Sequence, residues 1–178
     1  MRIGPGTNAA SVRARMLALI DNGKAFSVSE WLTFSASQVR YLVFDPTGYV
    51  PSPGYAPLVF GFFPAFAAEA GPITIDYHAA PDVSDDGANL LLFNRDANSV
   101  IAPQSTFKID PLTVTDPGTK FAGDLVPASS AGGGISGPAR SEDELPFILN
   151  PAVKVLIKMQ NLNGNDTQVS IKFTIAEL

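Results

Sequence analysis

The stretch that decides the fold lies near the C-terminus and reads VKVLIKMQNLNGNDTQVSIKFTI over residues 153–175. Apolar residues occupy every second position on both sides of a polar turn: Val153, Val155, Ile157, Met159, Val169, Ile171, Phe173 and Ile175. Because successive side chains of a strand point to opposite faces, this pattern predicts an antiparallel hairpin with one core face and one solvated face. We expect Val155, Ile157, Ile171 and Phe173 to share one core, with Lys172 on the opposite face.

Shorter apolar or alternating runs precede this hairpin, at residues 39–44, 58–63, 73–78, 106–109, 112–115 and 120–126. The 178 residues include 15 glycines and 15 prolines, which separate short elements and disfavour long helices. Eight or so short strands with frequent turns predict an all-β protein, an antiparallel β-sandwich, and favour the jelly-roll type.

The N-terminus has a different composition from the rest of the chain. Residues 1–14, MRIGPGTNAASVRA, are small, polar and punctuated by Gly and Pro, which predicts an extended arm followed by a single β-sandwich domain over residues 15–178. Arg2, Arg13 and Arg15 place positive charge on this end. The segment from residue 16 to 28 fits either a short helix or a strand–turn–strand around Asn22-Gly23, and we favour the hairpin because Asn-Gly is its strongest local signal.

Charge and composition exclude several classes of function. A net charge of -5 provides no basic field for nucleic-acid phosphates. The absence of cysteine removes disulfides, thiolate metal sites and cysteine nucleophiles. The longest apolar stretch, residues 57–68, falls short of the roughly 18 residues that a membrane helix needs. We expect a protein that is not secreted and has no nucleic-acid partner, membrane contact or cofactor.

Two polar clusters are candidates for chemistry. His78 is the only histidine, and on a strand it would share a face with Asp76, a spacing that suits a metal site or a general base. A solvated or hydrogen-bonded histidine at a strand end is the favoured interpretation. Asp82, Asp85 and Asp86 lie in one glycine-bearing loop and are weak calcium candidates, although a plain Asp-rich turn explains them as well. We predict no catalytic residue and no metal site, and therefore no enzyme.

An aromatic segment, YVPSPGYAPLVFGFFPAF over residues 49–66, allows two interpretations. It is either a core strand with a flanking loop or an interface for a partner subunit, because the cores of interfaces are enriched in Tyr and Phe. Phe62 and Phe63 would point to opposite faces of a strand, so one core cannot bury both. The partner-binding candidates in this segment are Tyr55, Phe60, Phe62, Phe63 and Phe66.

The C-terminal part also resembles a known family. Residues 132–178, GGGISGPARSEDELPFILNPAVKVLIKMQNLNGNDTQVSIKFTIAEL, are similar to the C-terminal regions of small virion proteins of tailed bacteriophages. Asn22-Gly23-Lys24-Ala25-Phe26 and Phe44-Asp45 resemble segments in the N-terminal halves of these proteins. One departure is the end of the chain, which reads TIAEL over residues 174–178 where relatives often end in an aromatic residue followed by Tyr-Glu.

This resemblance implies a jelly-roll capsid decoration (cement) protein that is assembled in the host cytoplasm and located on the virion surface. Its implied partners are the major capsid protein and further copies of itself, as a homotrimer. Arg2, Arg13 and Arg15 would then bind the capsid, and the aromatic segment would bind other copies. The alternative is a tail or head-fibre jelly-roll module that binds a receptor or carbohydrate, which would need an exposed aromatic platform with polar neighbours.

Overall fold

A computed structural model describes residues 14, 17–50, 59–62, 65–67, 72–84, 87–111, 113–126 and 147–177. These residues form fourteen strands: β1 Ala25–Phe34, β2 Val39–Asp45, β3 Val59–Phe62, β4 Ala65–Ala67, β5 Ile73–Ala79, β6 Asp82–Val83, β7 Ala88–Leu90, β8 Phe93–Asn94, β9 Thr106–Ile109, β10 Val114–Asp116, β11 Thr119–Val126, β12 Phe147–Leu149, β13 Val155–Asn161 and β14 Thr167–Glu177. A short helix, α1, is described at residue 14 and over 17–21. The protein is an all-β sandwich, as predicted.

Two antiparallel sheets make up the sandwich. Sheet A has the strand order β12-β3-β14-β1-β8, with β4 also paired to β14, and sheet B has the order β11-β5-β13-β2-β9-β7. Strands β6 and β10 form a separate two-stranded sheet. Strands β6 to β10 all lie in the segment between β5 and β11, and this insertion extends both sheets at one side, because β8 joins β1 and β9 joins β2.

One core lies between the sheets. It contains inward side chains of β1 and β14 from sheet A and of β2, β5 and β13 from sheet B. The rings of Phe107 and Phe173 connect the two sheets, with centroids 5.3 Å apart. Val155, Ile157 and Ile171 are buried in the same core, which confirms the predicted face of the C-terminal strands.

The pairing of those two strands differs from the prediction. β13 pairs with β2 and β5 in sheet B, whereas β14 pairs with β1 and β3 in sheet A, so the predicted hairpin is wrong. The turn after β13 crosses from one sheet to the other. The buried Asn161 supports this crossing, since its side-chain amide donates to the carbonyl oxygens of Ser35 and Asn165, both at 2.9 Å. Alternation shows which side chains are buried but not which strand is the neighbour.

The favoured hairpin around Asn22-Gly23 is also wrong. Residues 17–21 are helical, and Gly23 ends the helix with a φ of 66°. The Gly23 amide donates to the Ile20 carbonyl at 2.8 Å, and the Lys24 amide donates to the Leu19 carbonyl at 2.9 Å. This pair of bonds is a Schellman cap, which needs the same left-handed residue that an Asn-Gly hairpin would use. No helix in the described part of the chain is long and apolar enough to span a membrane.

A buried carboxylate fastens the insertion to the end of β14. Glu177 is 5% exposed and accepts hydrogen bonds from the backbone amides of Gln104 and Ser105, the latter at 2.7 Å. Burial raises the pKa of the neighbouring Tyr49 hydroxyl, and the charge of Glu177 adds to that effect. These contacts hold the segment before β9 against sheet A.

Candidate interaction surface on the outer face of sheet A

The outer face of sheet A, the face turned away from the core, consists mainly of small and polar residues. On β1 the outward positions are Ala25, Ser27, Ser29, Trp31 and Thr33, and on β14 they are Gln168, Ser170, Lys172, Thr174 and Ala176. Lys172 is the single charged residue at the outward positions of the strands that the structure describes in this sheet. Trp31 is the single aromatic residue at the outward positions of β1 and β14.

The aromatic segment continues this outer face. The backbone register places Phe60 opposite Ala176, Phe62 opposite Thr174 and Phe66 opposite Ser170. Directly opposed residues of neighbouring strands lie on the same face of a sheet. All three phenylalanines therefore occupy outer-face positions, whereas Gly61 between them lies opposite the core residue Ile175.

The face has two ends with different chemistry. We call the first the apolar end, defined by Phe60, Phe62, Phe93, Ala25 and Ala176. Phe93 of β8 lies opposite Ser27 and is 58% exposed. Ala25 and Ala176 are fully buried because Leu19 of α1 packs against them, so the helix covers this part of the outer face.

We call the second the Trp31 end, defined by Trp31, Ser29, Thr33, Ser170, Gln168 and Lys172. Trp31 is 63% exposed, and it lies four residues along β1 from Ser27, about 14 Å at the usual rise per residue. Its cross-strand partner is Ser170, which is in turn opposite Phe66. The register thus places Phe66 in the cross-strand row of Trp31, whereas Phe60 and Phe62 lie at the apolar end.

Several of the predicted partner-binding residues lie outside the described residues. These are Arg2, Arg13, Arg15, Tyr55 and Phe63. The predicted arm, residues 1–14, is described only at residue 14. The interface prediction for these five residues stays a prediction.

His78 and Asp76 do share the outer face of sheet B, but they do not form one site. Asp76 pairs with Lys120 at 2.5 Å. His78 is 8% exposed, and its Nδ1 lies 3.3 Å from the Gly118 carbonyl oxygen, while its Nε2 has no hydrogen-bond partner. Of the two alternatives in the favoured interpretation, the structure shows the hydrogen-bonded histidine, because the side chain is buried and not solvated.

The Asp-rich loop is described only in part. Asp82 is exposed on β6 and lies opposite Asp116 of β10, while Asp85 and Asp86 lie outside the described residues. Within the described ranges no group of three or more His, Asp or Glu side chains is arranged to hold a metal ion. The calcium hypothesis for this loop therefore rests on the sequence alone.

Sequence reasoning missed two exposed aromatic residues, Trp31 and Phe93. The signal for Trp31 was present, because it follows Ser27 and Ser29 at a period of two and precedes Thr33, which places it on the polar face of an alternating strand. Phe93 had no such signal. It lies in a short apolar run whose neighbour Leu92 is buried in the core, so only the pairing of β8 with β1 assigns its face.

Comparisons with known proteins identify no relative. The chain matches no protein-family model, no curated protein and no solved structure. The function of this surface is therefore inferred from its chemistry and from the resemblance described above.

Proposed function

We propose that the chain is a non-enzymatic virion protein of a tailed bacteriophage, a decoration protein that binds the outside of the head. In this proposal it forms a homotrimer and stabilises contacts between major capsid subunits. The observation that carries the proposal is the apolar end of the outer face of sheet A. Phe93 is exposed there, and the register places Phe62 in the same cross-strand row, with Ser27 and Thr174 between them.

The strand order supports a jelly roll, the fold that the family resemblance implies. Without the insertion and β4, the order is β12-β3-β14-β1 in sheet A and β11-β5-β13-β2 in sheet B. The first strand, β1, pairs with the last strand, β14, and the second strand, β2, pairs with the next-to-last strand, β13. Eight strands in two sheets of four, connected back and forth between the sheets, suit this topology.

Binding alone provides the proposed function. A protein that binds assembled subunits more tightly than separated ones stabilises the assembly by mass action. The N-terminal arm with Arg2, Arg13 and Arg15 would contact an acidic area of the major capsid protein, because opposite charges orient docking. The apolar end would contact a neighbouring copy, since apolar and aromatic residues supply most of the energy at the centre of an interface.

The first test is the mass of the protein in solution. Phe62→Asp introduces a charge at the apolar end and should shift a trimer, at three times the 18.8 kDa chain mass, towards monomers in sedimentation. Leu125→Asp is the matched control, because Leu125 is 55% exposed on the outer face of sheet B. A monomeric wild-type protein, or equal effects of the two substitutions, would contradict the proposed trimer contact.

The second test measures attachment to heads. Deletion of residues 2–14 should leave the far-UV spectrum and the melting temperature of the β-sandwich unchanged but weaken co-sedimentation with capsids. The capsids are assembled from the major capsid protein of the same phage. Undiminished attachment of the deletion variant would rule out the role of the arm.

A second candidate function is a glycan- or receptor-binding module on a tail or head fibre. One observation favours it. The exposed Trp31, with polar side chains on every described side of it, provides the aromatic platform that such a module needs. Imaging the position of the protein on the particle distinguishes the two candidates.

A further inference from the structure

We propose that the Trp31 end binds an anionic glycan, a saccharide that carries carboxylate groups. This goes beyond capsid decoration, because the proposed trimer contact uses the apolar end of the face and the proposed capsid contact uses the arm. The site consists of Trp31 as a stacking platform, Lys172 as the cationic group, and Ser29, Thr33, Gln168 and Ser170 as hydrogen-bonding groups.

Trp31 is the only tryptophan in the chain, yet it is 63% exposed. Tryptophan is among the more buried residue types, so a largely exposed one on a regular strand is informative. Pairing of β8 with β1 ends at Ser27, so no described strand covers β1 beside Trp31. An indole on a flat sheet face offers an open π surface, and the C–H groups on one face of a sugar ring would cover it.

Hydroxyl and amide groups lie next to the indole on β1 and β14, and Phe66 of β4 is the next register position beyond Ser170. Ser29 and Thr33 flank it along β1, and Ser170 lies directly opposite on β14. Gln168 and Lys172 are its two diagonal neighbours, at about 7–8 Å between backbone positions. A sugar ring stacked on Trp31 would therefore have donors and acceptors around its rim for its own hydroxyl groups, as polar recognition of a ligand requires.

The charge of this region selects an anionic saccharide. The chain carries a net charge of -5, but the one charged residue at the outward positions described for sheet A is Lys172, which is exposed. An ammonium group beside an uncharged platform favours a carboxylate placed next to the stacked ring.

The experiment titrates the purified full chain with an oligogalacturonate, using Trp31 as the sole indole fluorophore. We expect a saturable change in Trp31 emission with a dissociation constant in the millimolar range. The affinity should fall as salt is added, because salt screens the attraction between Lys172 and the carboxylate. The same oligosaccharide with its carboxylates reduced to alcohols is the matched ligand and should bind at least about tenfold more weakly, the value of one lost charged hydrogen bond.

The roles of Trp31 and Lys172 are tested by measuring the binding of the oligosaccharide to variants by calorimetry, which does not depend on tryptophan emission. Trp31→Ala should abolish binding, and Trp31→Phe should retain part of it. Lys172→Gln should lower the affinity for the acidic oligosaccharide to the affinity measured for the oligosaccharide whose carboxylates have been converted to alcohols. Lys172→Arg should preserve the affinity for the acidic oligosaccharide. Lys158→Gln on the outer face of sheet B is the control and should have no effect. Melting curves of each variant check that the fold is retained.

Three results would overturn the proposal: an unchanged emission, equal binding by folded Trp31→Ala, or equal affinity for the acidic and reduced oligosaccharides. An emission shift that depends on protein concentration without sugar would also overturn it, because another copy would then cover Trp31. None of these results bears on attachment to heads, which is measured with capsids and the arm deletion, so failure of the two proposals is distinguishable.

Discussion

The outer faces of the two sheets differ in how their exposed positions are filled. On sheet B two ion pairs are formed, with Lys120 2.5 Å from Asp76 and Lys154 3.4 Å from Asp45. Leu156 and Val43 on that face are fully buried. On sheet A one charged residue, Lys172, occupies the outward positions of the described strands, and Trp31 and Phe93 are exposed.

This difference indicates which face is available for binding. Leu156 and Val43 on the outer face of sheet B are covered within the chain, whereas Leu125 on the edge strand β11 of that sheet is 55% exposed. Trp31 and Phe93 of sheet A remain in contact with water in a single copy, and aromatic residues are enriched in protein interfaces. The comparison can be tested by substitutions on each face.

The largest expected effect tests the division between core and outer face on β14. Phe173 is fully buried and stacks on Phe107, so Phe173→Ala should lower the free energy of unfolding by about 3–5 kcal/mol. Its neighbour Lys172 is on the outer face, and Lys172→Ala should change that free energy by no more than about 0.5 kcal/mol. Chemical denaturation measures both, and equal losses would mean that the register of β14 is wrong.

The next effect compares the two outer faces directly. Leu156→Ala should cost about 2–5 kcal/mol although Leu156 faces away from the main core, because the side chain is fully buried on sheet B. Trp31→Ala removes a larger side chain from sheet A but should cost no more than about 0.5 kcal/mol, because that side chain is mostly in water. A reversed order of these two losses would refute the contrast between the faces.

The smallest effect concerns the paired charges of sheet B. Burial acts to raise the pKa of Asp45, but hydrogen bonds from the Thr47 hydroxyl and amide and the charge of Lys154 outweigh it and lower the pKa. A lowered pKa means that the ionised form stabilises the fold above the unfolded-state pKa, and this stability is lost as pH falls through the folded-state pKa. Asp45→Asn should therefore cost about 1 kcal/mol or less at pH 7.

The pH dependence provides the control for that prediction. The difference in unfolding free energy between wild type and Asp45→Asn should shrink as the pH is lowered below the ordinary range of aspartate. A difference that is constant with pH would assign the effect of Asp45 to shape and packing, since the charge would then contribute nothing.

The sequence predicted the class of fold and the buried face of its strongest strands, because alternation depends only on local geometry. It did not predict that β13 and β14 belong to different sheets, since strand pairing depends on distant residues such as those of β2 and β3. The Asn22-Gly23 turn was misassigned for a related reason. A left-handed glycine serves a hairpin turn and a helix cap equally well, and only the Leu19 and Ile20 carbonyls distinguish them.

The candidate surface was predictable in part. The aromatic segment was identified as an interface candidate, and the register of β3 supports outer-face positions for Phe60 and Phe62. The outer-face position of Trp31 could have been predicted from the alternation of the strand, because its neighbours at a spacing of two are Ser29 and Thr33. Phe93 was not, since β8 comes from an insertion whose path to the edge of β1 leaves no local pattern.

The central claim is that the apolar end of sheet A is a contact surface on a phage head. A cryo-electron microscopy reconstruction of heads carrying this protein tests it most directly. We predict trimers on the outside of the capsid, with Phe62 and Phe93 buried against a neighbouring copy and Trp31 left in contact with solvent. Copies whose apolar end faces solvent, or density for the protein only at the tail, would contradict the claim.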